Sequence, residues 1–348
     1  MRVSFDGGRL NERGVAVALY DYAHYAREFL GVEPVILHDV AEPPDPAHVR
    51  RFAQAFPTFG YASDDEWQRL TERERIDTAY QLKTSRKLAR ISKSSRTAVH
   101  EVFRFFRPHG DAYAYVSRWL AQEMTGGRYP TAPHMIDLPA ARGALRAELG
   151  IPKDAFVVGR HGAAGTFDAA LAPRAIEAAL QRRRNLWFVL LNTPRFCDHE
   201  RIVHLPPTAD RQRVADFIAT CDAGINARRV GETFGLAIAE FLACDKPVLV
   251  WAGGRDRNHL ALVDDPAFVY STAADLTRKL LELTPIRGEG VFAAKVAEFA
   301  PPRVMQTFAR VFLAPGERTF PAAPFGLRQK RKIAERLRRW RDAWRSRA

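Results

Sequence analysis

The stretch "NARRVGETFGLAIAEFLACDKPVLVW", residues 226–251, carries the pattern that decides the fold. It contains a polar loop ("RRVGET"), an apolar helix ("FGLAIAEFLAC") and an apolar strand ("PVLVW"), and the strand "AGINA" leads into it. Glu232 and Glu240 stand in this stretch with seven residues between them. The neighbours of Glu240 are apolar, and a carboxylate in that setting requires a partner. The stretch therefore predicts a strand–helix–strand unit of a parallel sheet, with one carboxylate before the helix and one inside it.

The start of this helix predicts an anion site. The backbone N–H groups of Phe234, Gly235 and Leu236 have no partners within the helix, and glycine allows a ligand to approach the backbone closely. A phosphate suits such a site, and Glu240 would accept hydrogen bonds from a ribose diol, as acidic residues do in dinucleotide folds. The alternative is that Glu232 only caps the helix and that Glu240 is solvated, which the apolar neighbours of Glu240 disfavour.

The rest of the chain repeats the alternation of strands and helices in two blocks. Strand-like runs are "MRVSFD", "PVILHD", "TFGYAS", "TAVHEVF" and "AYAYVS" in the first block, and "AFVVG", "LWFVLLN", "IVHLPP", "AGINA", "PVLVW" and "AFVYS" in the second. The proline-rich segment Pro130–Pro139 separates the blocks and predicts a linker. Such alternation implies parallel sheets covered by helices on both faces. We therefore expect an α/β protein with two Rossmann-like domains facing a cleft, residues 1–138 and 139–315, and a tail of residues 316–348.

Composition excludes several classes of protein. With 348 residues, 47% of them hydrophobic, the chain can fill two cores and does not resemble a disordered protein. Three cysteines, Cys197, Cys221 and Cys244, have no metal-like spacing, which favours a reducing compartment over a disulfide scaffold. No apolar run of signal-peptide length or of the roughly 18 residues of a spanning helix is present. We expect a cytoplasmic protein, at most peripheral at the inner face of a membrane.

The formal net charge of +13 is concentrated at the C-terminus, where residues 328–348 contain ten Lys or Arg and only two acids. Ile333, Leu337, Trp340 and Trp344 follow a helical spacing in this tail, with arginines on the other faces. A basic amphipathic helix of this kind can lie on an anionic membrane. Equally, the apolar stripe can pack against the protein while the arginines are solvated. Nucleic acid is a less favoured partner, because no nucleic-acid-binding module is recognisable.

The segment "GETFGLAIAEFLACDKPVL" resembles the E-x7-E signature of retaining glycosyltransferases with the GT-B fold, of the large family four type. The turn "VVGRHG", residues 157–162, is similar to one that brings an arginine to the donor pyrophosphate in that family. The segments "DGGRLNERGVAVALYDYA" and "YVSRWLAQEM" are similar to a subgroup of the same family. The resemblance covers most of residues 1–315 and is strongest over residues 226–251. It implies a GT-B protein with an acceptor domain followed by a nucleotide-sugar donor domain.

The resemblance implies a role for each matching residue. Glu240 would hold the ribose of a nucleotide sugar, and Glu232 would lie near the hydroxyls of the donor sugar. Arg160 would neutralise the leaving diphosphate. His100 would contact the donor sugar, although for an isolated histidine a structural role is an open alternative. The other residues implied in donor binding are Thr233, Phe234, Gly235, Leu236, Gly162 and Arg229.

Two parts of the chain leave alternatives open. The family usually has a lysine a few residues after the arginine, and "HGAAGTF" contains none, so Arg228 or Arg229 would have to supply that charge. In the loop after the first strand, Gly8, Arg13 and Gly14 would face the cleft, or would form an ordinary glycine-rich turn.

The implied reaction is transfer of a sugar, with retention, from a nucleotide-diphosphate donor to a glycan or lipid-linked acceptor in surface polysaccharide assembly. Negative charge develops on the leaving diphosphate, and fixed cations and helix-end N–H groups stabilise it there. No cofactor and no metal are expected, because no Asp-x-Asp pair stands at a strand end. Two alternatives remain: an epimerase or phosphorylase on the same fold, or a non-catalytic membrane- or nucleic-acid-binding protein on a GT-B scaffold.

Overall fold

The computed structural model describes residues 1–10, 14–41, 43–83, 89–286 and 289–314. Arg13 and the basic tail of residues 328–348 lie outside this range, so the predictions for them remain predictions. Among the helices within the range, none is long and apolar enough to cross a membrane.

The first half of the chain forms a parallel six-stranded sheet in the order β3-β2-β1-β4-β5-β6. Both faces are covered, and the strands are accordingly near-continuous apolar runs, as in β2, where five consecutive residues are buried. The elements are β1 (Arg2–Asp6), α1 (Gly14–Leu30), β2 (Glu33–Asp39), α2 (Pro46–Ala55), β3 (Thr58–Tyr61), α3 (Asp64–Arg73), β4 (Thr78–Lys83), β5 (Arg96–Glu101), β6 (Ala112–Tyr115) and α4 (Arg118–Thr125).

The second half forms another parallel six-stranded sheet, in the order β14-β12-β10-β7-β8-β9, and a short ladder of β11 with β13. Residues 126–155, which include the predicted linker, contain neither a helix nor a strand. The elements are β7 (Phe156–Arg160), α5 (Leu171–Arg182), β8 (Leu186–Leu191), β9 (Ile202–Leu205), α6 (Arg211–Thr220), β10 (Ala223–Asn226), β11 (Gly231–Glu232), α7 (Leu236–Ala243), β12 (Val248–Trp251), β13 (Asp256–Arg257), α8 (Asn258–Val263), β14 (Val269–Tyr270), α9 (Ala273–Glu282), α10 (Val291–Ala294) and α11 (Pro301–Phe308).

The central strand β4 was not predicted from the sequence. Its run "TAYQLK" contains Gln81 and Lys83, which interrupt the apolar pattern. Gln81 is nevertheless buried, because its amide exchanges two hydrogen bonds with the backbone of Arg90, at 2.6 and 2.8 Å. A buried amide with both groups paired costs little free energy.

The last described helix returns to the first half of the chain. The Phe308 ring of α11 packs on Phe5 and Tyr80 of the first sheet, and Phe312, in the helical turn after α11, contacts Tyr80 and His100. The predicted domain boundaries, residues 1–138 and 139–315, stay a prediction, although Phe308 and Phe312 of the second range contact the first sheet. Aromatic burial thus places Phe308 and Phe312 on the N-terminal core.

Candidate active site

A cavity of about 300 Å³ lies between the two halves of the molecule. Gly14 and Val17 of α1 and His48 of α2 form part of its N-terminal wall. Its C-terminal wall lies where β7 and β8 end and where α6 and α7 begin, which is the edge at which open α/β sheets bind ligands. This second wall includes His161, Gly162, Asn192, Arg211, Leu236 and Glu240.

Glu240 is a buried carboxylate that lines this cavity, and it has two basic neighbours. Its side chain is only 4% exposed. Arg211 Nη1 donates to Oε1 at 2.6 Å, and His161 Nε2 lies 3.2 Å from Oε2. Burial lowers the pKa of His161, whose ring is packed between Phe217 and Phe241, although the nearby carboxylate acts in the opposite direction. The apolar setting of Glu240 predicted a partner, and Arg211 supplies it, whereas His161 Nε2 makes no hydrogen bond.

Arg211 also joins the two halves of the protein. Its Nη2 donates to the carbonyl oxygen of Asp137 at 2.9 Å, and the Asp137 carboxylate accepts a 2.6 Å hydrogen bond from Tyr25 of α1. Asp21, one turn earlier on α1, interacts electrostatically with Arg211 and Arg51. Burial raises the pKa of Asp21 to about 7, against the effect of the two arginines. The cavity thus has charged groups from both halves at one end.

Glu232 forms a second charged group, on the loop before α7. Arg228 Nη1 donates to Oε2 at 2.6 Å, Asn226 Nδ2 donates to Oε1 at 3.2 Å, and the backbone N–H of Glu232 donates to His259 Nδ1 at 3.3 Å. Burial raises the pKa of Glu232, and Arg228 is the main opposing influence.

Arg228 and Arg229, the two arginines that could replace the absent family lysine, differ in their exposure. Arg228 is bound to Glu232, and its side chain is 26% exposed. The side chain of Arg229 is 76% exposed, and its Nε lies 3.7 Å from the Asp168 carboxylate. Only Arg228 is therefore placed to add positive charge beside the predicted donor site.

Comparison with solved structures identifies the architecture; no protein-family model and no curated protein matches the chain. Anabaena Alr3699/HepE in complex with UDP and glucose aligns with a TM-score of 0.66 at 15% identity, over 90% of this chain and all of that one. AviGT4, a glycosyltransferase involved in avilamycin A biosynthesis, aligns with a TM-score of 0.59 at 15% identity, over 91% of this chain and all of that one. A glycosyltransferase from Rickettsia africae aligns with a TM-score of 0.60 at 12% identity, over 97% and 98% of the two chains. The chain has the GT-B fold.

The predicted GT-B architecture of two Rossmann-like sheets is confirmed, and the start of α7 lies between them. Gly235 precedes α7 with φ 100°, a left-handed conformation that favours glycine. Leu236 lines the cavity, and a Cβ on Gly14 of the other half would lie 3.0 Å from its Cδ1. Thr233 and Phe234 use their carbonyl oxygens as acceptors for Ser117 (2.7 Å) and Asn258 (2.6 Å), and neither lines this cavity. Of residues 233–236, Leu236 is thus the one that lines the cavity.

The guanidinium of Arg160 is buried and hydrogen-bonded within the protein. It is 3% exposed, and its Nη atoms donate to four oxygens at 2.6–2.9 Å. These acceptors belong to Asn192, Thr193, Ala163 and Thr166. Burial lowers the pKa of Arg160 to about 10. The guanidinium connects the loop after β7 to the end of β8, and the predicted contact with a diphosphate stays a prediction.

His100 also lies away from the cleft. Its side chain has no exposed surface, its Nδ1 is 2.7 Å from the hydroxyl of Tyr80, and its ring contacts Tyr22, His134 and Phe312. Burial lowers the pKa of His100 well below the usual range for histidine. The returning C-terminal aromatic side chain and α1 cover this histidine, which does not line the cavity, and the predicted contact with a donor sugar stays a prediction.

Of the three remaining predicted glycines, two line the cavity and one does not. Gly14 and Gly162 line the cavity, and the carbonyl oxygen of Gly162 accepts a 3.0 Å hydrogen bond from Asn192. Gly8 does not line it; its N–H donates to Asp6 at 2.7 Å in a turn at the end of β1. Of the two predicted loop residues that the structure describes, Gly8 and Gly14, only Gly14 lies at the candidate site.

The sequence did not reveal Arg211, Asp21 or His161 as site residues. Arg211 opens a polar helix whose charge pattern is unremarkable, and 29 residues separate it from Glu240. His161 alone carried a local signal, since it directly follows the arginine of the "VVGRHG" turn. Across the described residues, no cluster of three or more His, Cys, Asp or Glu side chains forms a metal site. Metal independence itself stays a prediction.

Proposed function

We propose that the protein is a glycosyltransferase that moves a sugar from a nucleotide-diphosphate donor to a glycan or lipid-linked acceptor. The observation that carries this proposal is the buried Glu240 carboxylate, which faces an interdomain cavity beside the start of α7. The Anabaena protein with a similar fold was crystallised with UDP and with UDP-glucose. In this proposal the ribose binds at Glu240, and the diphosphate lies at the N–H groups that begin α7.

The charged groups around the cavity suit departure of a diphosphate. Negative charge grows on the leaving group, and a cation that is already in place stabilises the transition state more than the ground state. Arg228 would supply this cation from its position beside Glu232. Arg160 would act indirectly, by holding the loop of Gly162 and Ala163 against β8. We further propose retention of configuration, with the leaving diphosphate assisting attack by the acceptor from the same face.

The proposal is tested by thermal-shift binding of UDP-, GDP-, ADP- and CMP-sugars to the wild type and to Glu240→Ala. One or two diphosphate donors should stabilise the wild type and leave the variant unshifted. Glu148→Ala is a matched control, because Glu148 also pairs with an arginine, Arg213, but at an exposed position away from the cavity. The control should respond to the donors as the wild type does.

Donor turnover then tests the chemistry. NMR of the product formed with a simple sugar acceptor or water should give the same anomeric configuration as the donor, without added metal. Absence of any donor-dependent shift in the wild type contradicts the proposal and favours a non-catalytic role for the scaffold. Inverted product contradicts the retaining mechanism alone.

A further inference from the structure

Arg211 lies between the candidate nucleotide carboxylate and the opposite half of the protein. We propose that Arg211 is a positioning residue: it fixes the Glu240 carboxylate in the orientation that accepts both hydroxyls of a ribose, and it ties this orientation to the N-terminal half. This inference rests on the proposed function, because it assumes that a nucleotide binds at Glu240.

The first step of the argument is the geometry of the carboxylate. A carboxylate has about four lone-pair positions. Arg211 uses one on Oε1 through a 2.6 Å bond, and the His161 ring lies against Oε2 at 3.2 Å. His161 Nε2 makes no hydrogen bond, so among these two neighbours only Arg211 occupies a lone-pair position, and both oxygens of this cavity-lining group keep acceptor positions that we assign to the ligand. Two adjacent hydroxyls, as in a ribose diol, match two parallel acceptors, whereas a 2′-deoxyribose offers only one donor.

The second step of the argument is that the two Nη atoms of the guanidinium donate to different acceptors. Nη1 binds Glu240 while Nη2 donates to the carbonyl oxygen of Asp137 at 2.9 Å. These two bonds fix the plane of the guanidinium, and with it the plane of the carboxylate. A lysine ammonium is a compact charge without this fork. Arg211→Lys would therefore keep the charge and lose the orientation.

The third step is the connection to α1. Asp137 accepts a hydrogen bond from Tyr25 of that helix, and Asp21 of the same helix adds a carboxyl group near the guanidinium. One nitrogen of Arg211 thus binds the Glu240 carboxylate in the second half. The other nitrogen binds Asp137, which is itself hydrogen-bonded to α1 in the first half. A change in the distance between the halves would move Arg211 and turn Glu240, so nucleotide affinity depends on their relative position.

The experiment measures binding of UDP, GDP and ADP, and of their 2′-deoxy forms, by calorimetry to wild type, Arg211→Lys and Arg211→Ala. For the diphosphate that binds best, the wild type should prefer the ribo form by about tenfold, the effect of one lost hydrogen bond to a charged group. Both variants should bind the ribo form about tenfold more weakly and lose most of the preference. Donor turnover should show a raised KM with kcat changed much less, since the interaction is made in the ground state as well.

Arg213→Ala is the matched control, because Arg213 lies on the same helix and pairs with an exposed glutamate instead. It should keep both the affinity and the ribose preference of the wild type. Should Arg211→Ala fail to fold, Arg211→Lys carries the test alone, since it retains the buried charge.

The outcomes separate the two proposals. Wild-type affinity and an unchanged ribo-to-deoxy ratio in both variants would overturn the role of Arg211 and leave the proposed function standing. A uniform loss of affinity with the ratio preserved would also overturn it, because a purely structural arginine would act in that way. If the wild type binds none of the nucleotides, the proposed function fails, and the inference falls with it.

Discussion

Replacement of Arg160 by methionine should destabilise the protein before it affects any chemistry. Four hydrogen bonds at 2.6–2.9 Å would be lost, in a site where Arg160 is 3% exposed. At about 1.5 kcal/mol for each bond to a charged group, the loss is about 6 kcal/mol. Burial lowers the pKa of Arg160 to about 10, so removal of the buried charge offsets part of this loss, on the order of 3 kcal/mol. We therefore expect the free energy of unfolding to fall by about 3 kcal/mol.

The assay is thermal unfolding followed by circular dichroism, together with nucleotide binding below the transition. A loss of 3 kcal/mol lowers Tm by about 6–12 °C for a unit of 150–250 residues. Arg160→Lys should recover part of the loss, because one ammonium cannot reach both the loop after β7 and the end of β8.

Arg229→Met is the control for this experiment. Its side chain is 76% exposed, and its nearest carboxylate is 3.7 Å away, so its removal should change the free energy of unfolding by less than about 0.5 kcal/mol. The reasoning is refuted if Arg160→Met unfolds at the wild-type temperature and has lost nucleotide binding. Arg160 would then contact the diphosphate directly, as the sequence suggested.

Two further predictions concern stability. Burial raises the pKa of Glu101 to about 8, so between about pH 4.5 and pH 8 the folded state holds a proton that the unfolded state has released, and stability falls as pH rises. Glu101→Gln should flatten this dependence and raise stability at pH 8 by on the order of 4 kcal/mol, with little effect at pH 4. Equal effects in urea titrations at both pH values would contradict it. Gly231→Ala should disrupt the β11–β13 ladder, because φ is 77° and a Cβ would lie 1.8 Å from the carbonyl oxygen of Asp256. Amide exchange across this ladder should rise sharply, and Gly143→Ala, where a Cβ meets nothing within 4 Å, is the matched control.

The sequence predicted the wall of the cavity in the second half of the chain better than the wall in the first half. The pattern around Glu240 is local: an isolated carboxylate on an apolar helix requires a partner wherever that helix packs. His100 shows the opposite case. Its position at the end of a strand suggested the cleft, but Phe312, more than 200 residues later, returns to cover it. No local sequence pattern around His100 predicts this contact with Phe312.

By itself, the sequence determined the alternation of strands and helices, the division into two parallel sheets and the position of Glu240 near the sheet edge. These features follow from the periodic pattern of apolar residues, which is local in the sequence. Only the tertiary structure decided which donors meet each buried acceptor: Arg211 for Glu240, and the loop oxygens for Arg160. Partner choice depends on side-chain positions brought together from distant parts of the chain, whereas the need for a partner depends only on burial.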